Sequence, residues 1–348
     1  MEQSETKKYT AKIKKLPRSQ IEISAIIPAM EFDAVRSEAI RRIGADAELP
    51  GFRKGHVPES ILVAKLGEGA ILEEMAEISI GKAYPSVIVD NKLDVLGRPE
   101  VRITKIAMGN PLEFTLVTAV FPEINLPDYK KLAKKEARPK NEIVITDEEV
   151  EKALEQIRTM KTKSEVAPGG VATSVPPAPL DDAQVKMFGD FSGVEDLKLK
   201  LREGLAHEKE RATKDKKRIA VIDVILADTK IELPEIILEQ ELSRMGDEFA
   251  QDVVRMGLTI DAYLKAVKKT KEELQKDWRP DAEKRAKAQL LVNRIAELEK
   301  LEPDGETLKR EVAALRTRYP DAPEERAEGY VRMLLTNEKV FELLENPN

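Results

Sequence analysis

Cysteine is absent from the 348 residues, histidine occurs only at His56 and His207, and aromatic residues make up 4% of the chain, with Trp278 the single tryptophan. Without cysteine there is no disulfide, no thiolate metal site and no thiol nucleophile. A histidine-built metal site would need carboxylates to complete it, and neither an HExxH motif nor an EF-hand loop occurs. His207, between Ala206 and Glu208 in a charge-rich stretch, reads as a solvated surface residue. So few aromatics leave little with which to line a large small-molecule pocket. No run of about 18 apolar residues is available to cross a membrane. The opening MEQSETKKYT lacks the basic start and apolar stretch of a secretory signal, so the expected location is cytoplasmic, with no membrane partner. Gly67-Glu68-Gly69 precedes a helical pattern but has neither a third glycine nor a strand before it, which argues against a nucleotide loop. Carboxylate doublets such as Glu148-Glu149 and Glu272-Glu273 are ordinary on exposed helix faces. No catalytic residue, metal site or cofactor is expected.

Charge is abundant. Lys and Arg (58) nearly balance Asp and Glu (64), giving a net charge of −6 with 35% of residues charged. An ordinary domain carries roughly 25%, so the surplus is mixed in sign and points to long solvated helices. The length predicts two or three domains. In the first, Tyr9, Ala11, Ile13 and then Ile21, Ile23, Ala25, Ile27 alternate with polar residues around a turn at Lys15-Leu16-Pro17-Arg18-Ser19, as in a half-buried hairpin. Phe32, Val35, Ala39 and Ile43 recur at helical spacing, and a second helix is expected from about Glu68 to Asp90. Strands at 101–106 and 112–121, parted by Gly109-Asn110-Pro111, complete an α+β domain: an antiparallel sheet with helices on one face.

Beyond residue 125 the pattern is helical. Thr146 with Glu149, Ser192 with Glu195 and Thr270 with Glu273 have capping-box spacing at three helix starts, Pro234 suits the first turn of another helix, and Pro280 predicts a kink near the start of the helix opened by Thr270. Leu238, Leu242, Met245, Phe249, Val253 and Met256 form a single apolar stripe. Two last helices are expected around 306–318 and 323–344. The segment APGGVATSVPPAPL, residues 167–180, contains no charged residue and reads as a linker. The boundaries expected are 1–125 for the α+β domain, 126–166 for a connector and helix, 167–190 for the Pro/Ala-rich linker, and 191–348 for an elongated all-α domain with arms.

One loop stands out between two helices: Leu49-Pro50-Gly51-Phe52-Arg53-Lys54-Gly55-His56-Val57-Pro58. Paired prolines and glycines constrain it, while Phe52 offers area to desolvate, Arg53 a bidentate fork and Lys54 a point charge. It suits docking to a ribonucleoprotein surface; a tight structural turn with Phe52 tucked into the core is the competing reading. The stretch Lys7 to Arg18, with six basic and no acidic residues, adds positive charge to the same domain.

The residues Gly51 to Pro58 match the GFRxGxxP signature of the trigger factor family of ribosome-associated chaperones, with His56 where lysine is commoner. Val95-Leu96-Gly97-Arg98-Pro99-Glu100-Val101 and Phe121-Pro122-Glu123-Ile124-Asn125-Leu126-Pro127-Asp128-Tyr129-Lys130 are similar to family segments at the same points. The resemblance implies an α+β ribosome-binding domain followed by a helical chaperone domain with arms. It implies docking of Gly51, Phe52, Arg53, Lys54, Gly55 and His56 at the exit tunnel of the large ribosomal subunit, on protein and rRNA, and shielding of nascent polypeptides without ATP. Family members usually carry an FKBP-type prolyl isomerase domain where this chain has only 164–181, too short for strands around an aromatic pocket, so that domain is expected to be absent. Candidate client contacts are Met245, Phe249, Met256, Leu258 and Tyr263, with Met333 and Leu334 on the last helix, methionine suiting promiscuous surfaces. Helix-on-helix packing is the competing reading for each. A homodimer of the free protein stays open, as do two other functions: a retained isomerase, and an RNA assembly factor, against which the negative net charge counts.

Overall fold

A computed structural model describes residues 9–47, 56–136, 144–165, 181–186 and 189–346. The chain forms two compact units, each built from two stretches of sequence: 1–125 with 230–290, and 126–229 with 291–348. The segment 191–348 therefore contributes to both.

In the first unit, β1 (Thr10–Leu16) and β2 (Gln20–Ile27) form the expected hairpin. Its loop places Arg18 and Ser19 at φ 59 and 50, a conformation in which β-strand twist and a short connection agree. Helices α1 (Ala29–Asp33), α2 (Arg36–Asp46) and α3 (Glu59–Asp90) follow, then β3 (Val95–Lys105) and β4 (Leu112–Val120). The strands pair antiparallel in the order β1-β2-β4-β3. Alternation makes one face apolar: Ile21, Ile23, Ala25 and Ile27 of β2 and Leu112, Phe114 and Leu116 of β4 are buried with Phe32, Ala39, Ile71, Met75 and Val87. The period of two thus delivers a single core between the sheet and α1 to α3.

Two elements are longer than expected. α3 begins at Glu59, before the expected start near Glu68, because a first helical stretch ends at Gly67, whose φ of 82 and ψ of 158 break the helix before it resumes. β3 starts at Val95, six residues early. Gly97 and Pro99 argue against a strand interior, yet β3 is an edge, and a register shift between Leu96 and Glu100 absorbs them.

The same unit contains α8 (Glu235–Arg255), α9 (Ile260–Val267) and most of α10 (Lys271–Glu299), which continues helically through the exposed Pro280. The hairpin loop holds the approach to α8. Ser19 Oγ donates to the Glu232 carbonyl at 2.7 Å, the Arg18 amide donates to the Glu232 carboxylate at 3.1 Å, and the Arg18 guanidinium pairs with Glu235 at 3.1 Å.

The second unit comprises α4 (Tyr129–Glu136), α5 (Asp147–Glu165), α6 (Asp182–Val185), α7 (Val194–Ala227), the end of α10, α11 (Gly305–Arg318) and α12 (Glu324–Glu345). Val150, Leu154, Val185 and Leu197 form one buried cluster. Arg218 of α7 is largely buried over the Phe341 ring, 4.8 Å from its centroid, and donates to Glu338 and Glu345 at 2.7 and 2.6 Å. Tyr129 donates its hydroxyl to Glu299, and burial followed by that bond raises the Tyr129 pKa. The capping boxes at Thr146/Glu149 here and Thr270/Glu273 in the first unit are both formed reciprocally. The expected Ser192/Glu195 box is not. α7 starts at Val194, whose amide donates to Asp182 of α6 at 2.8 Å, while the Ser192 amide donates to Asp196. A carboxylate brought by tertiary structure replaces the local cap.

Candidate functional site

Gly51, Phe52, Arg53, Lys54 and Gly55 lie outside the described residues; His56, where description resumes, is exposed two residues before the N-cap of α3.

The apolar stripe of α8 changes character along its length. Leu238 and Leu242 are buried with Ala282, and Met245 packs partly buried against them beside Trp278. Phe249 sits between Tyr263 of α9 and Trp278 of α10 in edge-to-face contacts, with ring centroids 5.0 and 5.2 Å away. Val253 is fully buried. Beyond it the helix ends in a Schellman motif: Gly257 takes φ 77, its amide donates to Val254 at 2.9 Å, and the Leu258 amide donates to Val253 at 3.1 Å. Thr259 then caps α9, accepting from the Ala262 amide at 3.2 Å.

This reversal leaves apolar side chains in water. Val254 is 66% exposed, Met256 61% and Leu258 46%; Ile260 at the start of α9 and Val267 at its end are exposed as well. Arg255 pairs with Asp252 and Lys269 with Asp277, whereas Lys265 and Lys268 form no ion pair among the described residues. The neighbouring cleft, lined by Phe249, Ile260, Leu264, Leu274 and Trp278 among others, holds about 210 Å³. That is below the 300 to 1,000 Å³ of small-molecule sites. The arrangement is an open apolar surface beside a small cleft.

Of the residues expected to contact a client, Met245, Phe249 and Tyr263 are tied into this helix packing, and Met256 and Leu258 stand open at the turn. On α12 of the second unit Met333 is half-buried and Leu334 exposed. α11 and α12 also border an open groove of about 800 Å³ whose lining includes Leu308, Val312, Ala313, Glu328 and Arg332. Val254, Ile260 and Val267 escape the sequence reading. Val254 had a signal: it follows Val253, and a helix that buries one of two adjacent valines against a neighbour turns the other outward. Among the described residues no helix is long and apolar enough to cross a membrane, and no cluster of three or more His, Asp or Glu side chains is placed to hold a metal ion.

Two family models match the chain, one toward each end of the sequence. The family model described as Bacterial trigger factor protein (TF) matches residues 9–157, and that described as Bacterial trigger factor protein (TF) C-terminus matches residues 193–345. The trigger factor of Moorella thermoacetica is 23% identical over 396 residues, covering 90% of this chain and 88% of that protein. That of Staphylococcus carnosus is 24% identical over 394 residues, covering 89% and 88%. A solved structure described under "Promiscuous Substrate Recognition in Folding and Assembly Activities of the Trigger Factor Chaperone" shares the fold, with a TM-score of 0.51 at 15% identity over 97% of this chain and 99% of that one. Matched by the family's N-terminal and C-terminal models and sharing the fold of one of its solved members, the chain belongs to the trigger factor family of chaperones.

Proposed function

We propose that the protein docks beside the exit tunnel of the large ribosomal subunit through the loop 49–58 and shields nascent chains on dispersed apolar helix surface, without ATP and without prolyl isomerase activity. The docking half rests on the GFRxGxxP signature at Gly51 to Pro58, where the exposed His56 adjoins α3. The shielding half rests on one observation above others: four large apolar side chains, Val254, Met256, Leu258 and Ile260, open to water around one turn. Patches of this kind mark interaction surfaces. Each such contact is worth about 1 kcal/mol, so a client held by a few of them leaves quickly and needs no nucleotide for release.

Two observations support the absence of the isomerase. The family matches leave only 158–192 between them. Alignments of 396 and 394 residues are also longer than this 348-residue chain, so the relatives carry internal residues without a counterpart here.

Suppression of light scattering during refolding of an aggregating client tests the shielding surface. Replacing Val254, Met256 and Leu258 together with serine is expected to lower suppression several-fold while leaving helix content unchanged, because none of the three is buried. Undiminished suppression by that variant would remove the surface from the account.

A further inference from the structure

Sulfur is the softest nucleophile a protein offers to peroxide, and in this chain all of it is methionine: nine residues, and no cysteine to intercept the oxidant. Six of the nine have described side chains, and their access differs widely. Met75 is fully buried in the core between the sheet and α1 to α3. Met245 packs partly buried on Leu238 and Leu242 beside Trp278, and Met333 is half-buried on α12. Met108 is 37% exposed, but its sulfur accepts from Arg36 Nη1 at 3.7 Å, which engages a lone pair. The two most open are Met30 on α1, 78% exposed, and Met256, 61% exposed.

Met256 is the C-cap of α8. The Schellman motif that ends this helix runs through backbone groups, from the Gly257 amide to Val254 and from the Leu258 amide to Val253, so the side chain of the cap is not needed to close the helix. It stands instead with Val254, Leu258 and Ile260 on the open apolar turn. This placement separates surface chemistry from folding. One oxygen added at Met256 changes what the turn offers a client and leaves the helix end intact, whereas the same oxygen at Met75 would disrupt the core.

We propose that Met256 is a modification site, at which peroxide converts the thioether to a sulfoxide and reversibly switches off the client surface at the end of α8. A sulfur lone pair takes one peroxide oxygen, the sulfur–oxygen bond forming as the oxygen–oxygen bond breaks. Sulfur loses two electrons, and the departing hydroxide takes the proton of the transferred oxygen and leaves as water. The product is polar and chiral where the surface was apolar and pliable. A client that covers it buries a sulfoxide oxygen with no donor to meet it, which weakens its hold roughly fivefold. The inference rests on the shielding role of this turn and adds its regulation.

Suppression of light scattering during refolding of an aggregating client, before and after graded hydrogen peroxide, tests it on the full chain, each variant being compared with its own untreated sample. Peptide mass mapping is expected to find Met256 converted several-fold faster than Met245 and Met75. Wild-type suppression should fall roughly fivefold with unchanged helix content, and methionine sulfoxide reductases of both epimer specificities should restore it. Met256→Leu keeps the apolar area but offers no sulfur, and should hold its own level through the same treatment. Met30→Leu should lose suppression as the wild type does. Equal conversion of Met256 and Met245, or an equal loss in peroxide-treated Met256→Leu, would overturn the proposal. The two readings separate cleanly. A triple serine variant at Val254, Met256 and Leu258 that suppresses fully removes the shielding surface; an impaired one, beside a wild type that still suppresses fully once Met256 is converted, removes only the switch.

Discussion

Arg218 shows how much one side chain fixes. Reaching from α7 across the Phe341 ring to Glu338 and Glu345, it joins α7 to α12 by charge, hydrogen bonding and aromatic contact at once. The hydrogen bond from Arg218 holds the Glu338 carboxyl below its usual range, partly offset by burial. A depressed carboxyl pKa stabilises the fold at pH values above that of the unfolded chain, and the contribution is lost as pH falls through the folded value. Arg218→Ala leaves Glu338 and Glu345 to the longer Lys214 contacts at 3.6 and 3.7 Å and should cost about 2 kcal/mol at neutral pH, less than a fully buried pair would lose because Glu338 is half exposed. Urea unfolding of both proteins should show that difference shrinking from about pH 5 downward, as the carboxylates protonate. A constant difference across that range would mean that the arginine acts through packing alone.

At the scale of elements, the close approach of β3 to α8 has one consequence that a side chain can test. Gly97 has φ 72, and a Cβ there would lie 2.4 Å from Ile236 Cδ1. Gly97→Ala therefore combines a strained backbone with a clash and should lower stability by about 1 to 3 kcal/mol, read as a reduced urea midpoint with an unchanged slope. The hairpin, the sheet's apolar face and the boxes at Thr146 and Thr270 were legible in the sequence because each depends on residues within a few positions of one another. The start of β3 was not, because an edge strand tolerates a glycine and a proline that a central strand would reject. Nor was the cap of α7, supplied by Asp182 from another helix. For the candidate surface, spacing gave the apolar side of α8 but not how far along it a partner helix extends. Met245 and Met256 share one stripe in sequence; Met245 packs partly buried on Leu238 and Leu242, while Met256 caps the helix end in water.

At the scale of the whole molecule, mixed charge and scarce aromatics suit a chaperone whose apolar contacts are spread thinly over charged helices, and among the described residues the cleft beside Phe249 and Trp278 holds only about 210 Å³. An isomerase needs a larger aromatic-lined pocket, and in a refolding assay limited by proline isomerisation the protein is expected to leave the slow phase unaccelerated. Acceleration at micromolar protein would mean that a catalytic site survives. The central claim, that this family member works at the ribosome through the loop 49–58, is tested most directly by co-sedimentation with ribosomes. The wild-type chain should pellet with them, and a variant with Phe52, Arg53 and Lys54 all replaced by alanine should remain in the supernatant. Equal pelleting of the two would contradict it.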